Sequence, residues 1–587
     1  MGINANLWVF SFLYVSAYVA LPLTPPWRRL DEKTCIGKEK SFKNAAVATD
    51  NPLCSSVGSY FLEKGGSVVD ATVAVFACQS VVDCHLTGLG GGGRMLIYKR
   101  DIGKVLAAEA SSKVYSRLPS DLFEKADNAE VDNKKKGGAF VAIPGSTAGI
   151  WEAHQKFGVL PWKDLFGPAI EIAENGFPMG AFMHAAVTER PYPQVLSDET
   201  LRSVFVDPKT GDVRKEGSII RLPLLAKTLK RLAVDGGTSF YNGSLARDIV
   251  ADVNEKGGFF ELDDLSNYRV KWTEPLKITF NGTFRNLTLY NVPGLSGGIY
   301  LQSQLLLLDG YNVTKKDGLT IEGQATVRHR QMQAARTSFC FMSQMRAQDD
   351  DRTLQVMEYM RDPAFMATIR NEMRDDSKLP YPGICDQPEF HPPSFNGTSH
   401  ISIVAPNGDA VAFTSSIHNY LGSTVMGRRT GITFNDAIND FTDPMEYQQL
   451  GLVPVSNRLE ANATAAGMQA PSIFTDQDGN IKLVTGASGG GKIPSTIATI
   501  AKDVLIFDKT VKDATDSPRL YLHRFAGIDQ FADCYPKAIL KELRKKGNLL
   551  TAFDEGIRES CAQSIVMKDG RLSPYSDPRR QGCTDGY

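Results

Sequence analysis

The segment Ser67–His85 (SVVDATVAVFACQSVVDCH) is apolar on nearly every side when read at 3.6 residues per turn, with small side chains throughout. A helix of that kind is buried and must be covered all round, which points to a layered fold. The chain has the material for it. Its 587 residues are 42% hydrophobic and 22% charged, an ordinary globular composition with enough length for a large core. Lys+Arg 65 against Asp+Glu 66 gives a net charge of -1, which argues against a nucleic-acid binder held by bulk charge. No interior stretch approaches 18 uninterrupted apolar residues, which excludes a multi-pass membrane protein.

Around the buried helix the pattern alternates between helices and strands. Ala45–Thr49 reads as a strand and Asn51–Gly65 as a helix stopped by Gly65-Gly66. Met95–Tyr98 is a strand, Thr147–Phe157 and Ala325–Ala347 are helices, and Tyr381–Ser394 is a Pro-rich surface loop. Beyond it lie short strands, Ser399–Val404, Ala410–Ser416, Gly431–Phe434 and Ile481–Thr485, and then a helix, Ile493–Asp508. The mixture predicts an α+β chain of layered αββα type.

The N-terminus is an address. Leu7–Leu23 is apolar, closed by Pro22, Pro25 and Pro26, and suits a cleaved signal peptide over about residues 1–20, with a short single-pass anchor as the rival. Export fits six N-x-[ST] sequons, at Asn242, Asn281, Asn286, Asn312, Asn396 and Asn462. It also fits nine cysteines, an odd number that leaves at least one unpaired within the chain. No CxxC or HExxH pattern is present, so no metal is expected.

Two glycine-rich motifs lack the context that would give them a nucleotide. Gly88-x-Gly90-x-x-Gly93 follows a helix and precedes a strand, the reverse of a dinucleotide fingerprint. It reads instead as glycines where backbones approach closely. Gly486–Lys492 (GASGGGK) resembles a phosphate loop, but Ile493 stands where the magnesium-binding hydroxyl belongs. Its backbone N–H groups remain suited to an oxyanion or carboxylate.

The chemistry points to Asn396-Gly397-Thr398-Ser399-His400. The strand that follows turns at Asn407-Gly408, a two-residue hairpin signal, and the return strand ends at Thr414-Ser415-Ser416. Counting back from the turn brings Ser416 opposite Thr398 to within about one residue. If the Gly397–Thr398 bond breaks, the freed α-amine, with an ordinary pKa near 8, can act as base for the Thr398 hydroxyl.

On these residues and on ordered blocks from Asn44 to Tyr587, the chain resembles the γ-glutamyltransferase (γ-glutamyl transpeptidase, glutathione hydrolase) family of N-terminal-nucleophile enzymes. The blocks include Gly65–Ala71, Thr87–Gly92, Val141–Gly145, Gly397–Ser402, Phe434–Phe441, Thr485–Gly490 and Ser576–Arg579. The resemblance implies a four-layer αββα sandwich and cleavage before Thr398. The products would be a large chain of residues 21–397 and a small chain of residues 398–587, forming one intertwined heterodimer with no cofactor. It implies glutathione or γ-glutamyl compounds as substrates, a disulfide between Cys54 and Cys78, and a secreted or cell-surface protein.

Carried over position by position, Thr398 matches the nucleophile, Ser416 its supporting hydroxyl, Asp440 the carboxylate for the substrate amine, and Gly489-Gly490 the oxyanion pair. Other positions depart. The family's carboxylate-binding Arg is Ala108, its Asn is His418, its Glu or Gln is Ala437, and its Ser-Ser pair falls at Gly467-Met468. A lost guanidinium fork is not replaced by alanine. The reading is a secreted, self-cleaved protein with weak or lost γ-glutamyl transfer, of a kind also found in venoms, with an extracellular protein target as a further candidate partner. The alternative is an active enzyme with a rebuilt pocket, in which Arg94, Lys113 or Lys492 reaches the carboxylate.

Overall fold

A computed structural model describes residues 25–28, 35–127, 135–189, 191–346, 350–378, 397–444, 456–522, 528–553 and 559–587. The signal or anchor segment, the Pro-rich loop Tyr381–Ser394 and Asn396 lie outside the described residues.

Two sheets stack at the centre. The first contains β1 (Ala46–Thr49), β2 (Gly92–Lys99), β3 (Lys104–Ala110) and β4 (Lys271–Thr273). The second begins with β5 (Leu276–Thr279) and β6 (Thr288–Asn291). The first then gains β7 (Ser399–Val404) and β8 (Ala410–Ser416). The second is completed by β9 (Ser472–Thr475), β10 (Ile481–Ala487), β11 (Ala562–Lys568) and β12 (Arg571–Ser576), and β13 (Cys583–Gly586) closes the first. The strand orders are β13-β1-β7-β8-β2-β3-β4 and β12-β11-β10-β9-β6-β5.

Helices cover the outer faces. α1 (Pro52–Glu63), α2 (Val68–Val82) and α3 (Ser146–Phe157) pack on the first sheet, while α4 (Gly297–Asp309) and α6 (Ile493–Leu505) pack on the second, with α5 (Ile321–Ser343) laid against α4. Side-chain alternation makes this four-layer order. On β2, Leu96 and Tyr98 meet Ile473 and Val484 between the sheets, while Met95 and Ile97 face the first helical layer. The result is the expected αββα sandwich.

The residues of α2 are all buried, as its composition requires. Ser67 starts it with a capping box: its Oγ accepts from the Asp70 N–H at 3.1 Å, and the Asp70 carboxylate accepts from the Ser67 N–H at 2.8 Å. A disulfide, Cys54–Cys78, joins α1 to α2. Two segments differ from expectation. Gly92 and Gly93 belong to β2, where they pair with Ser416 and Ser415; a Cβ would stand 2.4 Å from Ser112 N at Gly92 and 2.6 Å from Phe413 Cε2 at Gly93, so only bare backbone fits beside the hairpin. Gly431–Phe434 makes only isolated bridges, Gly90 with Phe434 and Met426 with Thr433, and is no strand.

Candidate active site

The β7–β8 hairpin sets the site. Ser399 pairs with Ser415 and His400 with Thr414, so Ser416 comes beside Thr398. The Thr398 and Ser416 hydroxyl oxygens are 2.8 Å apart, and the His418 N–H donates to Ser416 Oγ at 2.8 Å. Thr398 has φ 140°, a region that a β-branched residue rarely enters. Backbone held in such a region stores strain of about 1–3 kcal/mol. The carbonyl oxygen of Thr398 accepts from Arg580 Nη1 at 2.6 Å. One residue on, the Ser399 hydroxyl donates to Asp50 at 2.6 Å, and the His400 N–H donates to the same carboxylate at 3.1 Å. Burial raises the Asp50 pKa, against the opposing charge of Arg580. The start of β7 is thus held by Arg580 and Asp50 together. A Cβ at Gly397 would stand 2.5 Å from the His418 carbonyl oxygen, so the residue before the nucleophile has no room for a side chain.

Thr398 and Ser416 open onto a narrow cleft whose walls include Arg94, His418, Ala437, Asp440 and Gly490. Gly489 is left-handed, with φ 106°, at the turn leading through Gly490–Lys492 into α6, and a Cβ there would stand 2.8 Å from Ser560 Cα. Only glycine suits that conformation, and the turn presents backbone N–H groups of the kind that stabilise an oxyanion.

The far wall carries charge. His418, itself left-handed with φ 76°, places Nδ1 2.9 Å from Asp440 Oδ2. Burial works against its charged form, but Asp440 outweighs burial and the His418 pKa lies above the ordinary histidine value. Asp440 Oδ1 is buried with no hydrogen-bond partner. Arg94, in the same cleft wall, is 3% exposed, with Nη2 3.0 Å from Glu109 Oε1 and Nε buried and unpartnered.

Of the departing positions, His418, Ala437, Gly467 and Met468 line this cleft. Ala108 does not. It pairs with Met95 and Trp272 on β3, and its side chain lies in the core against the first helical layer. The residue that the sequence reading kept only as a substitute, Arg94, is the cation actually in the wall. A Cβ at Gly467 would stand 2.5 Å from Arg94 Nη1, so a side chain there would displace this guanidinium. Lys492 does not reach the cleft walls but lies over the Tyr521 and Phe553 rings, 5.1 and 4.6 Å from their centres. The signal for Arg94 was its cross-strand pairing with Glu109, which appears only once the β2–β3 register is known.

The sequons at Asn242, Asn281, Asn286, Asn312 and Asn462 are all exposed. Among the described residues no group of His, Cys, Asp or Glu is placed to hold a metal ion. No described helix is long and apolar enough to cross a membrane.

A layered αββα sandwich with a threonine at the head of a central strand defines an N-terminal-nucleophile fold. The comparisons agree: the cephalosporin acylase from Bacillus halodurans superposes with a TM-score of 0.80 over 97% of this chain and 99% of its own, at 23% identity. The Gamma-glutamyltranspeptidase family model matches residues 54–587, and the chain belongs to that family. Among its relatives, glutathione hydrolase 2 of Arabidopsis thaliana is 31% identical, covering 93% of this chain and 94% of the relative. Scoloptoxin SSD14 of Scolopendra dehaani is 30% identical, covering 93% and 92%.

Proposed function

We propose that the chain cuts itself between Gly397 and Thr398 and that the freed Thr398 is an acyl-transfer nucleophile with weak γ-glutamyl activity. The observation that carries this reading is the 2.8 Å contact between the Thr398 and Ser416 hydroxyls, at a strained residue whose preceding position has space only for glycine. In the cut, Thr398 Oγ adds to the Gly397 carbonyl carbon, the C–N bond breaks, and the nitrogen leaves as the α-amine. Water then hydrolyses the resulting ester. The large chain ends at Gly397 and the small chain runs from Thr398 to Tyr587.

In the acyl-transfer step the same amine takes the hydroxyl proton as Oγ attacks a substrate carbonyl. The N–H groups at Gly489-Gly490 face the developing oxyanion, and the leaving amine departs with a proton. Water or an acceptor amine releases the acyl group. Transfer is weak in this reading because the cleft is narrow, Ala437 offers no polar group, and His418 already occupies Asp440, the anion for a substrate ammonium. Losing a charge-assisted contact costs about 1.5–3 kcal/mol.

One observation favours a second reading, an active glutathione hydrolase or transpeptidase with a rebuilt pocket. Arg94 Nε and Asp440 Oδ1 are a buried donor and a buried acceptor without partners in the walls of one cleft, a pairing suited to the carboxylate and ammonium of an amino acid. A γ-glutamyl chromogenic assay on the cleaved protein separates the two. Turnover within the ordinary enzymatic range of about 1–10³ per second establishes the second reading, and turnover orders of magnitude lower establishes the first. Secretion is part of the proposal, supported by the apolar N-terminus, the exposed sequons and the toxin named among the relatives.

A further inference from the structure

The turn that carries Gly489-Gly490 is held from behind. It leaves β10, which pairs with β11 as far as Ala487 and Ala562. One residue further on, the Ser488 N–H donates to the Cys561 carbonyl at 2.9 Å. The Ser488 carbonyl oxygen accepts from the Ser560 hydroxyl at 2.6 Å. The Ser560 oxygen in turn accepts from Thr496 Oγ1, in the first turn of α6, at 2.9 Å. Thr496 thus aims its own hydrogen at Ser560 and leaves the Ser560 hydrogen for Ser488. All three side chains are buried, and none of them lines the cleft, whereas Gly490 does.

One bond fixes both ends of a peptide unit. The Ser488–Gly489 peptide is planar and trans, so its C=O and its N–H point in opposite directions. With the carbonyl drawn back to Ser560, the Gly489 N–H points the other way, to the cleft side of the turn. The peptide needs such a hold because glycine tolerates both signs of φ. Turned over, it would present the Ser488 carbonyl oxygen where a donor belongs, and that oxygen repels an oxyanion. Ser560 is also in direct contact with the turn: a Cβ at Gly489 would stand 2.8 Å from Ser560 Cα and 3.0 Å from Ser560 Cβ.

We propose that Ser560 is a positioning residue for acyl transfer, which keeps the Gly489 N–H aimed at the oxyanion by holding the Ser488 carbonyl. It acts through the turn and not on the substrate. The inference rests on the acyl-transfer reading above, and its test reads the formation of a tetrahedral adduct as well as turnover.

The probe is butylboronic acid, titrated into the cleaved protein and followed by boron NMR. N-glycans are removed first, because their diols also take boronates. Thr398 Oγ adds to boron, the α-amine takes the hydroxyl proton, and boron becomes a tetrahedral anion with one hydroxyl where an oxyanion would stand. Ser560→Ala is expected to weaken this adduct about tenfold, the worth of one buried hydrogen bond. It is expected to lower kcat in the chromogenic assay by about tenfold or more, up to the roughly 10²–10³ of a lost oxyanion donor, with KM unchanged. Thr496→Val, which removes only the group that aims the Ser560 hydroxyl, is expected to weaken the adduct about two- to fivefold. It decides alone if Ser560→Ala yields no cleaved protein. An adduct of unchanged affinity in the deciding variant overturns the proposal, and so does a loss of activity carried by KM instead of kcat. A wild-type protein that gives no tetrahedral boron overturns the acyl-transfer reading itself. A wild-type protein that gives it while idle in the chromogenic assay supports the proposal if the variants weaken the adduct.

Discussion

At the residue scale, the cleft is governed by who holds Asp440. His418 has a raised pKa, so it stays protonated to higher pH than an ordinary histidine, near 6.5. The sign for stability follows. His418's contribution to folding is complete below about 6.5, as long as Asp440, whose carboxyl pKa burial raises, stays ionised, and it is lost as pH rises through the raised histidine value. The sign for binding is opposite, because a neutral His418 releases Asp440 to accept a substrate ammonium. The residual γ-glutamyl hydrolysis is therefore expected to show a KM that falls, by up to about tenfold, as pH rises past neutrality. His418→Asn is expected to flatten that profile, and steady-state kinetics across pH checks it. Ser416 acts on Thr398 itself, through the 2.8 Å contact. Ser416→Ala is expected to slow self-cleavage by about ten- to a hundredfold, the cost of one hydrogen bond to the reacting group, read from the uncut fraction over time.

At the scale of elements, glycines set how closely layers approach. Gly58 on α1 faces α2 and β1, and a Cβ there would stand 2.7 Å from Val75 Cγ2 and 3.0 Å from Val47 Cγ1. Gly58→Ala is expected to lower stability by about 1–3 kcal/mol through overpacking, measured by denaturant unfolding. Much of this scale was legible in the sequence. The all-round apolar pattern of Ser67–His85 marked a buried helix, a local pattern with one structural solution. Asn407-Gly408 marked the hairpin but not its register: the Ala405 N–H bonds to the Asp409 carbonyl, so the loop takes three residues instead of two and the pairing shifts by one, which brings Ser416 to Thr398. The cation in the cleft was not legible in the same way. Arg94 lines the cleft while Ala108, on the neighbouring strand, lies in the core, and which of them faces the site depends on pleat and pairing that no local pattern carries. Gly431–Phe434 has strand composition but finds only single bridges, a tertiary outcome.

At the scale of the whole molecule, β1, at the start of the fold, lies between β7 and β13, so segments on both sides of Gly397–Thr398 form one sheet. A cut there leaves two interleaved chains. A disulfide, Cys35–Cys583, also links a cysteine before the cut to one after it. It takes one of the six cysteines before Thr398 and one of the three after it. The cleaved protein is expected to run as one band without reductant and as two with it, and Cys583→Ser to give two bands in both cases. The most direct test of the account is N-terminal sequencing of the smaller chain from the purified, reduced protein, made without added protease. The account predicts Thr398-Ser399-His400 as its first residues, and a single uncut chain for Thr398→Ala. A wild-type chain that stays whole, a cut at another bond, or cleavage that survives Thr398→Ala would contradict it.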